Sequence, residues 1–247
     1  MQKKQVSYEI SSDGIMKVVI DNPETKNGLN WEGINQMADC YQELIDNKSI
    51  KVAIFTGNDE YFWTGGRVNP HNPGEQEKYA NAIERVGILG SQIKVPRIAA
   101  VSGDCMKGAM GMVVSCEFAI AREGVRFSFP EVPMGGVPMV VMVETMDAIP
   151  RKKALEYYLS GWSFSAEEAL SFGFINAVAP KEEFWNVVER YAKIFVDTPK
   201  PLIDLTLKAY NELSRIQGSK ERNDFAMKML REEVLPVMET VKQKYNP

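Results

Sequence analysis

A single carboxylate, Glu131, sits in the stretch VRFSFPEVPMGGVP (residues 125–138), which is otherwise largely apolar, aromatic and rich in proline and glycine. Desolvation disfavours a charged carboxylate. An acid in such a setting is therefore either a turn residue facing water or an acid–base group held in a mostly dry pocket. Two other stretches offer complementary chemistry. FWTGGRV (62–68) follows an apolar run, and its paired glycines permit a turn of positive φ that aims a backbone N–H into a cavity. SGDCMKGAMGM (102–112) follows another apolar run, and Gly108 stands where a helix is expected to open. A helix N-terminus has unpaired N–H groups and a dipole that favours negative charge. Either turn taken alone reads first as an ordinary turn. Two such donors aimed at one point make an oxyanion hole, and a carboxylate above it can move a proton next to a carbonyl.

The rest of the composition narrows the classes. The chain has 247 residues, with 25% charged and 45% apolar residues and a net charge of −4. That suits one large domain, or one domain with an appendage. No basic stripe is present, so no nucleic-acid partner is expected. Cys40, Cys105 and Cys116 fit neither a zinc spacing nor a disulfide framework. His71 is the only histidine, which argues against a His-based metal site or a Ser-His-Asp triad, and no metal is expected. The opening MQKKQVSYEI lacks the apolar core of a signal peptide, and no apolar run reaches the ~18 residues of a membrane span. The expectation is a cytoplasmic protein with no membrane partner.

The elements that must position these residues follow from periodicity. VSYEI and IMKVVI around SSDG predict a β-hairpin. Trp31, Ile34, Met37, Ala38, Tyr41, Leu44 and Ile45 predict one face of a helix beginning at Asn30. VAIFT predicts a strand, then a long polar loop to a helix over about 77–92, then the strand RIAAV. Strand, helix, strand, helix predicts an α/β fold with crossover connections. Beyond Pro138 the pattern is mostly helical, apart from a brief strand at INAVA and a break at DTPKP, where Pro199–Pro201 marks a candidate hinge.

The order of these features, closed by LSGWSFSAEEALSFGFINAVAP (159–180) and PKPLIDLTLKAYN, resembles the crotonase superfamily, the enoyl-CoA hydratase/isomerase fold, over roughly residues 5–215. The resemblance implies a spiral of ββα units over residues 1–198 and a C-terminal helical module over 199–247 that assembles a homotrimer or hexamer. It implies an acyl-CoA or acyl-carrier-protein thioester as partner, with coenzyme A as part of the substrate and no further cofactor. The thioester oxygen would accept hydrogen bonds from the backbone N–H groups of Gly66 and Gly108, and Glu131 would carry the proton.

Three departures from the family pattern bear on the reaction. Family hydratases usually carry a second glutamate, at the position that is Gly111 here, which favours a one-base reaction such as double-bond isomerisation over hydration. Arg67 replaces the aspartate of the first oxyanion loop. MVVMVETM (139–146) replaces a glycine-rich stretch, so that Met139, if it lines the acyl pocket, reshapes it. Trp63, Lys78, Tyr79 and Glu144 are further pocket candidates, with surface positions the plainer reading for Lys78, Tyr79 and Glu144. Lys26, in NPETKNGLN, is a candidate contact for a coenzyme A phosphate. Two rival functions stay open: a decarboxylase or hydrolase of a thioester, and a non-catalytic protein that binds coenzyme A.

Overall fold

The computed structural model describes residues 4–69 and 71–245. Strands β1 (Val6–Ile10) and β2 (Ile15–Ile20) form the antiparallel hairpin that their alternation predicts. The hairpin turns at Gly14, φ +85°, where a Cβ would lie 2.6 Å from the Ser49 carbonyl oxygen, so glycine is required. Helix α1 (Trp31–Asp46) begins where Asn30 accepts the Gly33 N–H at 3.0 Å. It buries Ile34, Met37, Ala38, Tyr41 and Leu44, the face that the spacing predicts.

The chain then repeats one pattern. Strand β3 (Val52–Thr56) is followed by the short β4 (Tyr61–Trp63) and helix α2 (Pro73–Gly90). Strand β5 (Arg97–Val101) is followed by β6 (Asp104–Met106) and α3 (Ala109–Ser115). Strand β7 (Phe118–Arg122) is followed by β8 (Arg126–Ser128) and then α4 (Met139–Thr145) and α5 (Arg151–Ser160). Strand β9 (Phe164–Ser165), α6 (Ala166–Ser171) and β10 (Ala177–Ala179) complete the series.

The first strand of each unit joins a six-stranded sheet of order β1-β2-β3-β5-β7-β10, parallel from β2 onward. The second joins a four-stranded sheet of order β4-β6-β8-β9. Each ββα unit thus advances one strand along both sheets, which makes a spiral. β3 is buried along its whole length, as a strand paired on both edges and covered on both faces must be.

The polar loop expected between β3 and α2 is shorter than the sequence suggests. β4 lies inside it, and α2 starts at Pro73 rather than near Glu77, because Asn72 caps the helix and proline suits its first position. By contacts the chain divides into Met1–Ala192 and Lys193–Pro247, ahead of the 198/199 boundary that the sequence suggests. The division falls inside α7 (Phe184–Asp197); the second unit continues with α8 (Lys200–Arg215), α9 (Ser219–Met229), a π-helical turn and α10 (Leu235–Tyr245).

The core beneath the loop that follows β8 is aromatic. Phe164 is fully buried, with its ring centroid 4.4 Å from that of Tyr157, 5.5 Å from Phe127 and 6.1 Å from Phe174. Phe129, two residues before Glu131, packs edge-on against Tyr158 at 4.7 Å. Phe164→Ala is expected to cost about 3–5 kcal/mol, read as a lower urea midpoint at unchanged m-value. A midpoint within error of the parent would show that the cluster does not hold this part of the fold.

Candidate active site

The first glycine turn is fixed by its carbonyl. The Gly65 carbonyl oxygen accepts the Leu29 N–H at 3.0 Å and the Trp63 indole N–H at 3.1 Å, while the Arg67 N–H donates to the Leu29 carbonyl at 2.7 Å. The peptide joining Gly65 to Gly66 is trans, so its N–H points opposite to that carbonyl. The Gly66 N–H therefore faces away from Leu29, and among the described residues it has no acceptor. Gly65 has φ +84°, and a Cβ there would lie 2.5 Å from the Cβ of Lys107, so the turn admits only glycine at that position.

The second turn links β6 to α3. Lys107 has φ +59°, an uncommon state for a residue with a side chain. Its N–H donates to the Ser128 carbonyl at 3.2 Å. Gly108, at the N-cap of α3, is exposed, and among the described residues its N–H has no acceptor. Lys107 thus touches all three parts of the site. Its side chain packs on the first turn, it precedes Gly108, and its amide is tied to β8, three residues ahead of Glu131. The sequence reading missed it. A lysine between a strand and a glycine gives no warning of a positive φ.

Glu131 sits in a tight turn. Its carbonyl accepts the N–H groups of Met134 at 3.1 Å and Gly136 at 2.8 Å, and Gly135 has φ +83°. One carboxylate oxygen, Oε2, is buried and has no hydrogen-bond partner among the described residues. Burial raises the carboxyl pKa above its ordinary value of 4.5, against smaller opposing effects of a backbone hydrogen bond and of the Lys107 ammonium. Burial raises the pKa of the Tyr158 phenol, against its hydrogen bond to Thr145, and the nearby Glu131 charge adds a smaller push upward. Its hydroxyl bonds the Thr145 hydroxyl at 2.6 Å, and Thr145 donates to the Val141 carbonyl at 2.7 Å.

The remaining candidates fall in several places. Trp63 is buried in the core, where its indole N–H holds the first turn. Tyr79 is half-buried, with its hydroxyl against Gly66: a Cβ built on Gly66 would lie 1.5 Å from that oxygen. Lys78 is exposed, with Nζ 5.0 Å from the Trp31 ring centroid. Met139 is 65% exposed on the outside of α4, together with Val140, Val143 and Met146; α4 turns Val141 and Thr145 inward instead. Glu144 is exposed, but its Cγ lies 3.4 Å from the point a Cβ on Gly111 would occupy.

A cavity of about 710 Å³ opens on the Gly66 side and is lined by Asn22, Thr25, Gly28, Arg67 and Lys107 among others. Lys26, exposed with φ +56° and its Nζ 5.9 Å from the Tyr61 ring centroid, is not among its lining residues. Another concavity, along α5 by Lys153, Leu159 and Trp162, holds none of these groups. Among the described residues no three histidine, cysteine or acidic side chains cluster as a metal site would need, and no helix is long and apolar enough to cross a membrane.

The profile of the enoyl-CoA hydratase/isomerase family matches residues 10–234. The chain is 26% identical over 233 residues to a glyoxysomal fatty acid beta-oxidation multifunctional protein MFP-a of Brassica napus, covering 91% of this chain and 32% of that protein. It is 27% identical over 197 residues to the mitochondrial enoyl-CoA hydratase domain-containing protein 3 of Homo sapiens, covering 78% of this chain and 65% of that protein. The chain thus spans about a third of the length of the plant relative and about two thirds of the human one. The crystal structure of human enoyl coenzyme A hydratase domain-containing protein 3 superposes with a TM-score of 0.86 at 23% identity, covering 99% of both chains. Enoyl-CoA hydratase from Bacillus anthracis superposes at 0.84 with 18% identity, covering 99% of this chain and 98% of that one. The spiral of ββα units is the fold of these structures.

The balance of burial and Lys107 at Glu131 is measurable. A 13C NMR titration of the Glu131 carboxyl is expected to give a midpoint above 4.5. In Lys107→Met, which keeps a Cβ at the positive-φ position, the midpoint is expected to move higher still, because the cation that favours the carboxylate is gone. A midpoint at or below 4.5, or one that falls in the variant, would contradict this electrostatic account.

Proposed function

The chain belongs to the enoyl-CoA hydratase/isomerase family, and from that premise we propose that it acts on an acyl-CoA thioester through an enolate. In this reading the thioester oxygen accepts hydrogen bonds from the Gly66 and Gly108 N–H groups. Glu131 takes a proton from the α-carbon, next to the carbonyl, and the electron pair moves onto the oxygen. Each preorganised donor lowers the barrier by about 3 kcal/mol. The protonated Glu131 then returns the proton to a different carbon, and a β,γ double bond becomes α,β. Positioned acid–base transfer of this kind contributes about 10²–10⁴ in rate. The cations of Arg67 and Lys107 on the cavity suit the phosphates of coenzyme A.

One observation carries the proposal: Glu131 keeps a buried carboxylate oxygen that has no partner among the described residues. Folding leaves such an atom unpaired only at a cost, and a substrate proton would use it. Gly111 supplies no acid, so one carboxylate does the work, and isomerisation needs only one.

Hydration is a second reading, favoured by the contact of Glu144 with the space above Gly111. From there its carboxylate would orient the water that Glu131 cannot hold alone.

Liquid chromatography coupled to mass spectrometry, which resolves double-bond isomers by retention time, separates the readings after incubation with 3-enoyl-, 2-enoyl- and malonyl-CoA. The proposal expects 3-enoyl-CoA converted at unchanged mass, and a fall of about 10² or more in Glu131→Gln. A gain of one water on 2-enoyl-CoA that Glu144→Gln abolishes would establish hydration instead. Loss of CO2 from malonyl-CoA alone would make it a decarboxylase, and binding without turnover of any thioester would leave a binding protein.

A further inference from the structure

The side chain that occupies the Cβ position of Gly66 comes from another element. The three atoms nearest to a Cβ built on Gly66 all belong to Tyr79: the hydroxyl oxygen at 1.5 Å, Cζ at 2.3 Å and Cε2 at 2.8 Å. The end of the phenol therefore fills the volume that a side chain at 66 would take, and the hydroxyl rests against the Gly66 α-carbon. Helical spacing puts it there. Tyr79, Ala82, Ile83 and Val86 lie along one side of α2; Ala82 is buried, and the others pack on the core, so the ring enters while Lys78 and Ala80 face outward. Among the described residues the hydroxyl has no hydrogen-bond partner.

Resting on the enolate reading above, we propose that Tyr79 is a catalytic residue whose hydroxyl is a third hydrogen-bond donor to the thioester oxygen, delivered from α2 into the space that glycine leaves at 66. This requires the oxygen that takes the Gly66 N–H to lie beside the same α-carbon, within reach of that hydroxyl. The phenol keeps its proton throughout, because burial pushes its pKa up to about 12, so it donates a hydrogen bond and transfers nothing. The glycine at 66 follows from the tyrosine at 79: a methyl group and the hydroxyl cannot share the space.

Tyr79→Phe keeps the ring and removes only the donor. On whichever thioester the wild type turns over, kcat is expected to fall about 10²-fold with KM little changed. Binding of a saturated acyl-CoA thioester should weaken about fivefold, while binding of the matching thioether, which has no carbonyl oxygen, stays as it was. Wild-type kcat in the variant, or equal weakening of both analogues, would overturn the proposal and leave the enolate reading standing. A wild type that binds neither analogue and turns over no thioester would end both. The contact itself has a separate check. Gly66→Ala is expected to lower the melting temperature by several degrees in the parent and by much less when it is added to Tyr79→Ala; an equal loss in both backgrounds would mean the hydroxyl does not stand where the proposal needs it.

Discussion

The site depends on one doubly bonded carbonyl. Gly65 gives its oxygen to the Leu29 amide and the Trp63 indole, and a planar trans peptide then leaves the Gly66 N–H no direction but the opposite one. An N–H held open in this way costs stability in the empty protein. The fold supplies that from elsewhere: Trp63 is buried in the core, Leu29 is fully buried, and the Arg67 amide closes the bridge from the far side. Donors fixed before substrate arrives need no reorganisation during reaction, which is where such groups gain their effect.

The second constraint is Lys107. Its positive φ turns the chain between β6 and Gly108, its Cβ packs where Gly65 has none, and its amide ties the turn to Ser128. Two turns and strand β8, from three successive ββα units, are thereby held together by one residue. The same side chain is the cation that acts on Glu131, opposing the burial that raises its carboxyl pKa. Burial raises the pKa, and a backbone hydrogen bond and, more weakly, the lysine pull it back down.

Much of this was legible in the sequence. The hairpin and the buried face of α1 follow from periodicity, and the strands β3 and β5 follow from unbroken apolar runs of the length a fully covered strand needs. The small sheet did not show. Its strands have two or three residues, too few for an alternation to register, and their partners come from distant units. Side-chain direction was likewise hidden. Met139 and Trp63 are both large and apolar, yet one lies on the surface of α4 and the other in the core, a difference set by tertiary packing. Tyr79 and Lys78 are neighbours in a polar helix, and only the packing of α2 on the core decides which of them meets Gly66.

Formation of a thioester enolate under Glu131 is the claim from which the rest follows. Proton NMR in D2O of a saturated acyl-CoA incubated with the protein reads it directly, because each enolate formed lets deuterium enter the carbon next to the carbonyl. The wild type should exchange that proton well above the uncatalysed rate, and Glu131→Gln should not. Exchange that persists undiminished in the variant, or that never exceeds the rate in buffer, would contradict the account.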